Sequence, residues 1–214
     1  MLIQDPFSED HIRAHCSHCD PTSNAFADLL DETENFRIVC DHHSLCEGHI
    51  LIIPKEHLSC IGAYSEKQFD EFVELYELVS AFLKKEYGSV SSFEHGNIGQ
   101  TVFHSHVHLL PYAGDPLTIV PEGKEHLVAL PSFIELQKLF KHYDRYLFFS
   151  MNDLAWVVDP TLASPGFFRN RFATALGNAE RGNWKEMDRN QELMTLAQAD
   201  NAQVKKRWEG KDKK

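Results

Sequence analysis

Residues 104–112 read HSHVHLLPY, with His104, His106 and His108 at every second position. In an extended chain successive side chains point to opposite faces, so the three imidazoles share one face and Ser105, Val107 and Leu109 take the other. Neighbouring rings then lie ~6.5–7 Å apart along a strand, close enough to meet one ligand yet with different partners. Neutral imidazole is a nucleophile, a base or a metal ligand near pH 7. Three of thirteen histidines in strict alternation are poorly explained as core filling, since fully buried histidine is uncommon. A second chemical feature is Cys16-Ser17-His18-Cys19. Its two thiolates supply half of a tetrahedral zinc site, which needs two further ligands.

These groups need a scaffold. Residues 35–39 and 48–54 (GHILIIP) have the β-branched richness of paired strands, joined by the polar loop DHHSLCE. Apolar residues at helical spacing, among them Phe69, Phe72, Val73, Tyr76, Val79 and Leu83, predict a helix over 66–86. Ser65 with Gln68 has the form of a capping box, and Gly88 stands where that helix should stop. SVSSFEHGNIGQTVFHSHVHLLPY reads as two strands joined by a glycine-containing loop near 94–100, with the triad in the second strand. Gly114 and Pro116 mark a soft boundary, which divides the chain into 1–115, holding the chemistry, and an extension over 116–214. In the extension, Ser132 and Glu135 repeat the capping-box form, and a hairpin turns at Asn152-Asp153. PGFFRNRFATALG reads as a helix ending at Gly177, and residues 189–207 as another.

Composition narrows the class. With 214 residues and 43% apolar content the chain can bury a core, and its apolar runs are too short to span a bilayer. The N-terminal MLIQDPFSEDHIR lacks the plan of a secretory signal, so a cytoplasmic location is expected. A formal net charge of −11 argues against general nucleic-acid binding. Basic residues concentrate in the tail KKRWEGKDKK, which reads as a solvated, partly disordered end. Five cysteines do not suggest a disulfide framework. Cys40, Cys46 and Cys60 lie in or beside apolar stretches and read as small buried hydrophobes.

GHILIIPKEH, followed about fifty residues later by GQTVFHSHVHLLP, resembles the histidine triad family of nucleotide hydrolases and transferases. It resembles most the fragile-histidine-triad and diadenosine-polyphosphate-hydrolase side of that family, over roughly residues 14–115. The resemblance implies an α+β fold, an antiparallel sheet with a long helix, commonly doubled in a homodimer. Here it would be followed by a C-terminal hairpin-and-helix extension. It also implies covalent catalysis, in which His106 attacks the α-phosphorus of a nucleotide and a nucleotidyl-histidine is resolved by water or another acceptor. His108 would orient His106 by fixing its tautomer, or contact phosphate. Gln100 and Thr101 match phosphate-side and leaving-group contacts, and Asp41 falls at the ribose-binding position.

Zinc-bearing members of the superfamily take one ligand from the histidine ending PKxH and one from the first triad histidine. The resemblance therefore completes a closed, structural zinc site of Cys16, Cys19, His57 and His104, with His15, His18, His42 and His43 as competing ligands. Mg²⁺ or Mn²⁺ would accompany substrate phosphates.

Three departures stand out. Ser105 replaces an aliphatic residue, which should weaken packing behind the triad. Tyr112 replaces an arginine that often follows the triad's proline. The loop FEHGNIGQ is shorter and carries Glu94 where a neutral amide often lies. The expected activity is hydrolysis of a phosphoanhydride or phosphoramidate, with dinucleoside polyphosphates as the leading substrates. Two alternatives stay open: a nucleotidyltransferase or phosphorylase using phosphate or a sugar phosphate, and a non-catalytic nucleotide-binding interaction module.

Overall fold

The computed structural model of the chain describes residues 15–211. Strands β1 (Leu29–Glu32), β2 (Phe36–Cys40) and β3 (Ile50–Pro54) form a meander. Helix α1 (Glu66–Tyr87) follows, with the Ser65–Gln68 capping box formed and Gly88 left-handed at φ 85°. Strands β4 (Ser91–Gly96) and β5 (Val107–Leu110) then enter the centre of the sheet. Beyond them come α2 (Pro116–Ile119), β6 (Leu127–Ala129), α3 (Ile134–Tyr143), β7 (Tyr146–Met151), β8 (Leu154–Val158), α4 (Phe167–Ala175), α5 (Trp184–Met187) and α6 (Gln191–Glu209). The fold is α+β. The eight strands make one sheet in the order β1-β2-β3-β5-β4-β7-β8-β6, with antiparallel pairing throughout.

Strand alternation divides the core between the two faces of this sheet. Ile38, Ile52, Val107, Leu109 and Phe148 meet Phe72, Val79 and Leu83 of α1 on one side. Phe93, Leu147 and Phe149 meet Phe168 and Phe172 of α4 on the other. The soft boundary at residues 113–116 lies between strands of the same sheet, because β7 pairs with β4 along all six of its residues. The β7–β8 turn falls at Asn152-Asp153 as expected, both with positive φ.

Two expectations about the extension change. Helix α3 has Phe133 as its N-cap, without a side-chain cap; Ser132 stands one residue too early and contributes only its carbonyl, to the Glu135 N–H. The basic tail is ordered through Glu209, because α6 buries Val204 and Trp208 against the α1 side. Its cations find acids, Lys205 at Asp28 (3.3 Å) and Arg207 at Glu47 (3.0 Å). Cys40 and Cys60 are buried and Cys46 half-buried, and burial pushes each thiol up to about 12. Among the described residues no helix is long and apolar enough to cross a membrane.

Candidate active site

The triad does not lie wholly in a strand. His108 is in β5, opposite Leu51 of β3 and Phe93 of β4, whereas His104 and His106 precede the strand, His104 in a bend and neither in a ladder. The ladder starts late because the Ser105 N–H donates to the Leu58 carbonyl (2.6 Å) rather than to a strand partner. The alternation of faces survives: Ser105 points to the buried Tyr64 and Glu94, and Val107 joins the α1 core. The three histidines face the other way.

Hydrogen bonds assign a tautomer to each ring, since a backbone N–H can only donate and a carbonyl only accept. The His106 Nδ1–H donates to the His104 carbonyl at 2.6 Å, leaving Nε2 with its lone pair. His108 was expected to fix this tautomer; the neighbouring main chain does so instead, because a carbonyl two residues back is already within reach. The Leu45 N–H donates to His49 Nδ1 (3.0 Å), so His49 Nε2 carries a proton and donates it to His108 Nδ1 (2.9 Å). The remaining proton of His108 is therefore on Nε2. His108 stacks on Phe93, with centroids 4.1 Å apart and planes at 15°, and lies 5.0 Å from the His106 ring. Burial lowers the basicity of His106 and holds His108 well below the ordinary imidazole range. It pulls His49 down to about 4.

His106 and His108 line a cleft of about 280 Å³. Asp41 is in its wall, 6% exposed. One carboxylate oxygen accepts the His43 N–H (2.9 Å) and the other the Arg169 Nη1–H (2.6 Å). The Arg169 guanidinium, with His49 and His108 behind it, outweighs desolvation and holds Asp41 well below the usual carboxylate range. Asp41, His49 and His108 place ligand atoms within 4.8 Å of one another. Arg169 and the His49–His108 hydrogen bond already occupy that set.

Thr101 is an exposed residue of the wall whose hydroxyl accepts from Trp184 Nε1 (3.1 Å). Gln100 is not among the lining residues; it is buried, with its amide donating to the Ser59 carbonyl at 2.6 Å.

The extension supplies part of this wall: Gly166, Arg169, Trp184 and Asp188 all line the cleft. The approach is close at Gly99, where φ is +73° and an added Cβ would lie 2.7 Å from the Ser164 carbonyl oxygen. His95 in β4 also faces the cleft, accepts the Phe168 N–H at Nε2 (3.1 Å), and is held neutral by burial, at about 3. No spacing in FFRNRF or in the segment around Trp184 marks these residues in the sequence. Only the docking of α4 and α5 brings them to the histidines.

Cys16, Cys19, His57 and His104 converge beside the triad, with all four potential ligand atoms within 4.8 Å. The His104 Nδ1 is 3.4 Å from each sulfur, and the His57 Nδ1 is 3.2 Å from Cys19 Sγ. Tetrahedral zinc with ordinary Zn–S and Zn–N bonds places such donors ~3.5 Å apart. His104 spends Nε2–H on the Pro54 carbonyl (2.8 Å), which leaves Nδ1 facing the cysteines in the manner of an oriented metal ligand. The four residues fit a zinc ion. Among the competing ligands, His18 instead packs its ring 5.1 Å from that of His106.

Ser105 and Glu94 also differ from expectation. Glu94 is in strand β4 and not in the loop. It accepts from Ser105 Oγ (2.8 Å), Tyr146 OH (2.5 Å) and the Ile61 N–H (3.0 Å), and Ser105 Oγ also bonds Tyr64 OH (2.7 Å). The polar residue behind the triad is thus matched by a built network, and packing there is not weakened. Burial outweighs the three donors and raises Glu94 to about 7.

A HIT domain model matches residues 22–114. An uncharacterized HIT-like protein of Chlamydia trachomatis is 31% identical over 90 residues, covering 39% of this chain and 78% of that protein. One of Mycoplasma genitalium is 28% identical over 108 residues, covering 48% of this chain and 77% of that protein. Among solved structures, a hypothetical histidine triad nucleotide-binding protein from Sulfolobus tokodaii is 29% identical with a TM-score of 0.36, the match covering 41% of this chain and 62% of that one. A Zn-bound histidine triad family protein from Mycobacterium smegmatis is 20% identical with a TM-score of 0.40, the match covering 62% of this chain and 97% of that one. The chain thus spans less than two thirds of the Sulfolobus protein's length. With the HSHVH segment inside the matched region, this chain belongs to the HIT domain family.

Proposed function

We propose that the protein is a nucleotide hydrolase that cleaves a phosphoanhydride or phosphoramidate through a nucleotidyl-His106 intermediate, with dinucleoside polyphosphates as the leading substrate class. The observation that carries this reading is the 2.6 Å bond from His106 Nδ1–H to the His104 carbonyl. It leaves Nε2 as a nucleophile on a cleft wall.

In the first step the Nε2 lone pair attacks the α-phosphorus. The bond from phosphorus to the leaving oxygen or nitrogen breaks, and its electron pair departs with the leaving group. A departing nitrogen takes a proton from solvent. The imidazolium formed keeps its Nδ1–H on the His104 carbonyl, which stabilises the new positive charge. His108 Nε2–H donates to a non-bridging phosphate oxygen, and His49 holds the tautomer that makes this possible. Water then attacks phosphorus, the P–Nε2 bond breaks with its electrons returning to nitrogen, and the proton of the water passes to solvent. Each oxygen of Asp41 retains acceptor capacity for a ribose hydroxyl beyond the bonds it already makes.

Zinc on Cys16, Cys19, His57 and His104 is structural in this reading. Four protein ligands would leave such an ion no open position, and it would serve to hold the segment that carries His104.

Replacing His106 with alanine tests the reading. The expected result is loss of turnover over a nucleotide panel, with affinity for nucleoside monophosphate largely intact; full activity in the variant contradicts it. Tight nucleotide binding by the wild type without turnover would identify a non-catalytic binding module. A product that changes when orthophosphate is added would identify a phosphorylase.

A further inference from the structure

Among the described residues, the charged side chains lining the cleft are Asp41, Asp188 and Arg169. Two carboxylates repel the phosphate of an incoming nucleotide, and the repulsion grows as water is excluded. Arg169 is the cation in the wall that can offset it. It is 6% exposed, and a guanidinium presents five N–H donors in one plane. Nη1 donates to Asp41 at 2.6 Å. Nη2 serves the carbonyls of His43 and Arg181 and the sulfur of Met187. The Nε–H has no partner. A buried donor on a charged group is expensive to leave unmade, and a phosphate oxygen is the acceptor that nucleotide chemistry brings.

Arg169 is placed by a helix packed on the aromatic core. The preceding residue, Phe168, and Phe172 of the same helix lie 5.6 and 5.1 Å from Phe93, ring centre to ring centre. Phe93 is the ring on which His108 stacks. The arginine and the triad are therefore seated on one aromatic layer, although they come from opposite sides of the soft boundary.

We propose, resting on the functional reading above, that Arg169 is a catalytic residue contributed by the C-terminal extension, one that binds the reacting phosphate through donors the protein leaves unused. Asp41 keeps the guanidinium plane oriented, and the guanidinium stabilises the charge that builds on the non-bridging oxygens as the leaving group departs.

Calorimetric titration of the full chain with a nucleoside and with its 5′-monophosphate tests this. The ratio of the two affinities isolates the contribution of the phosphate. Arg169→Gln should reduce that ratio by roughly tenfold to a hundredfold, the range expected for a hydrogen bond to a charged group, beyond any change in nucleoside affinity that reaches the ribose through Asp41. An unchanged ratio overturns the proposal.

Arg169 also holds loop carbonyls, so the glutamine variant can fail to fold. The wild-type chain then gives the same test by NMR: the Arg169 Nε–H resonance, assigned by its absence in Arg169→Lys, should move on adding monophosphate and stay put with nucleoside. Equal movement with both ligands, or with neither, contradicts the proposal. A wild type that binds neither ligand overturns the functional reading itself, and this one with it.

Discussion

At the scale of single residues, main-chain groups decide which nitrogen of each imidazole is available. The His104 carbonyl sets His106 and the Leu45 N–H sets His49, which in turn sets His108. The residue types and their alternation were legible in HSHVH. The partners were not, because a carbonyl accepts equally well whatever side chain it carries. Glu94 shows the same limit: the sequence places an acid near a glycine, and only the fold turns it inward onto Ser105 and Tyr146.

Its weakened acidity has a definite consequence. With a folded value of about 7 against an ordinary 4.5, the native state binds this proton more tightly than the unfolded chain does. Its stabilisation is complete below pH ~4.5 and lost as the pH rises through ~7. Relative to Glu94→Gln, the wild type should lose on the order of 3 kcal/mol over that interval, measured by urea unfolding at stepped pH. The buried histidines act oppositely. His49 and His95, at about 4 and about 3, stabilise fully above pH ~6.5 and lose that contribution as the pH falls through their folded values. A difference between wild type and Glu94→Gln that does not vary with pH would contradict the assignment.

At the scale of elements, β2 and β3 were readable from their β-branched richness and α1 from the helical spacing of the face it buries. The late start of β5 was not, since it depends on Ser105 bonding Leu58, a residue that only the fold brings beside it. Nor was the N-cap of α3, where a Ser–Glu pair one residue out of place imitates a capping box. The segment from Cys16 to Cys19 has little regular structure of its own, so its anchorage rests on the Cys–His cluster. The purified chain should hold one zinc ion, and Cys16→Ser or Cys19→Ser should remove it. The loss should lower the thermal midpoint by roughly 5–10 °C, at ~2–4 °C per kcal/mol for a domain of this size. Elemental analysis with calorimetry checks both statements; metal retained in both variants would place the ion elsewhere.

At the scale of the whole molecule, Gly114 and Pro116 punctuate the chain without dividing the sheet. β4 pairs with β5 on one side and with β7 on the other, and Phe93 packs between His108 and Phe172. A chain ending at residue 115 would expose the edge of β4 and half of this aromatic layer. Such an edge is a template for aggregation. The truncated chain should show no cooperative melt by circular dichroism and should elute as aggregate; a monomer that melts cooperatively would contradict this. The extension was the least legible part of the sequence because its cleft-lining residues carry no spacing of their own and reach the histidines only through the fold. The most direct test of the proposed chemistry is mass analysis of the intact protein after rapid quenching with a panel of nucleotides. A mass increase of one nucleotidyl group, mapped to His106 and absent in His106→Ala, is the expected result. Turnover without any adduct on His106, or an adduct that persists in the variant, would contradict it.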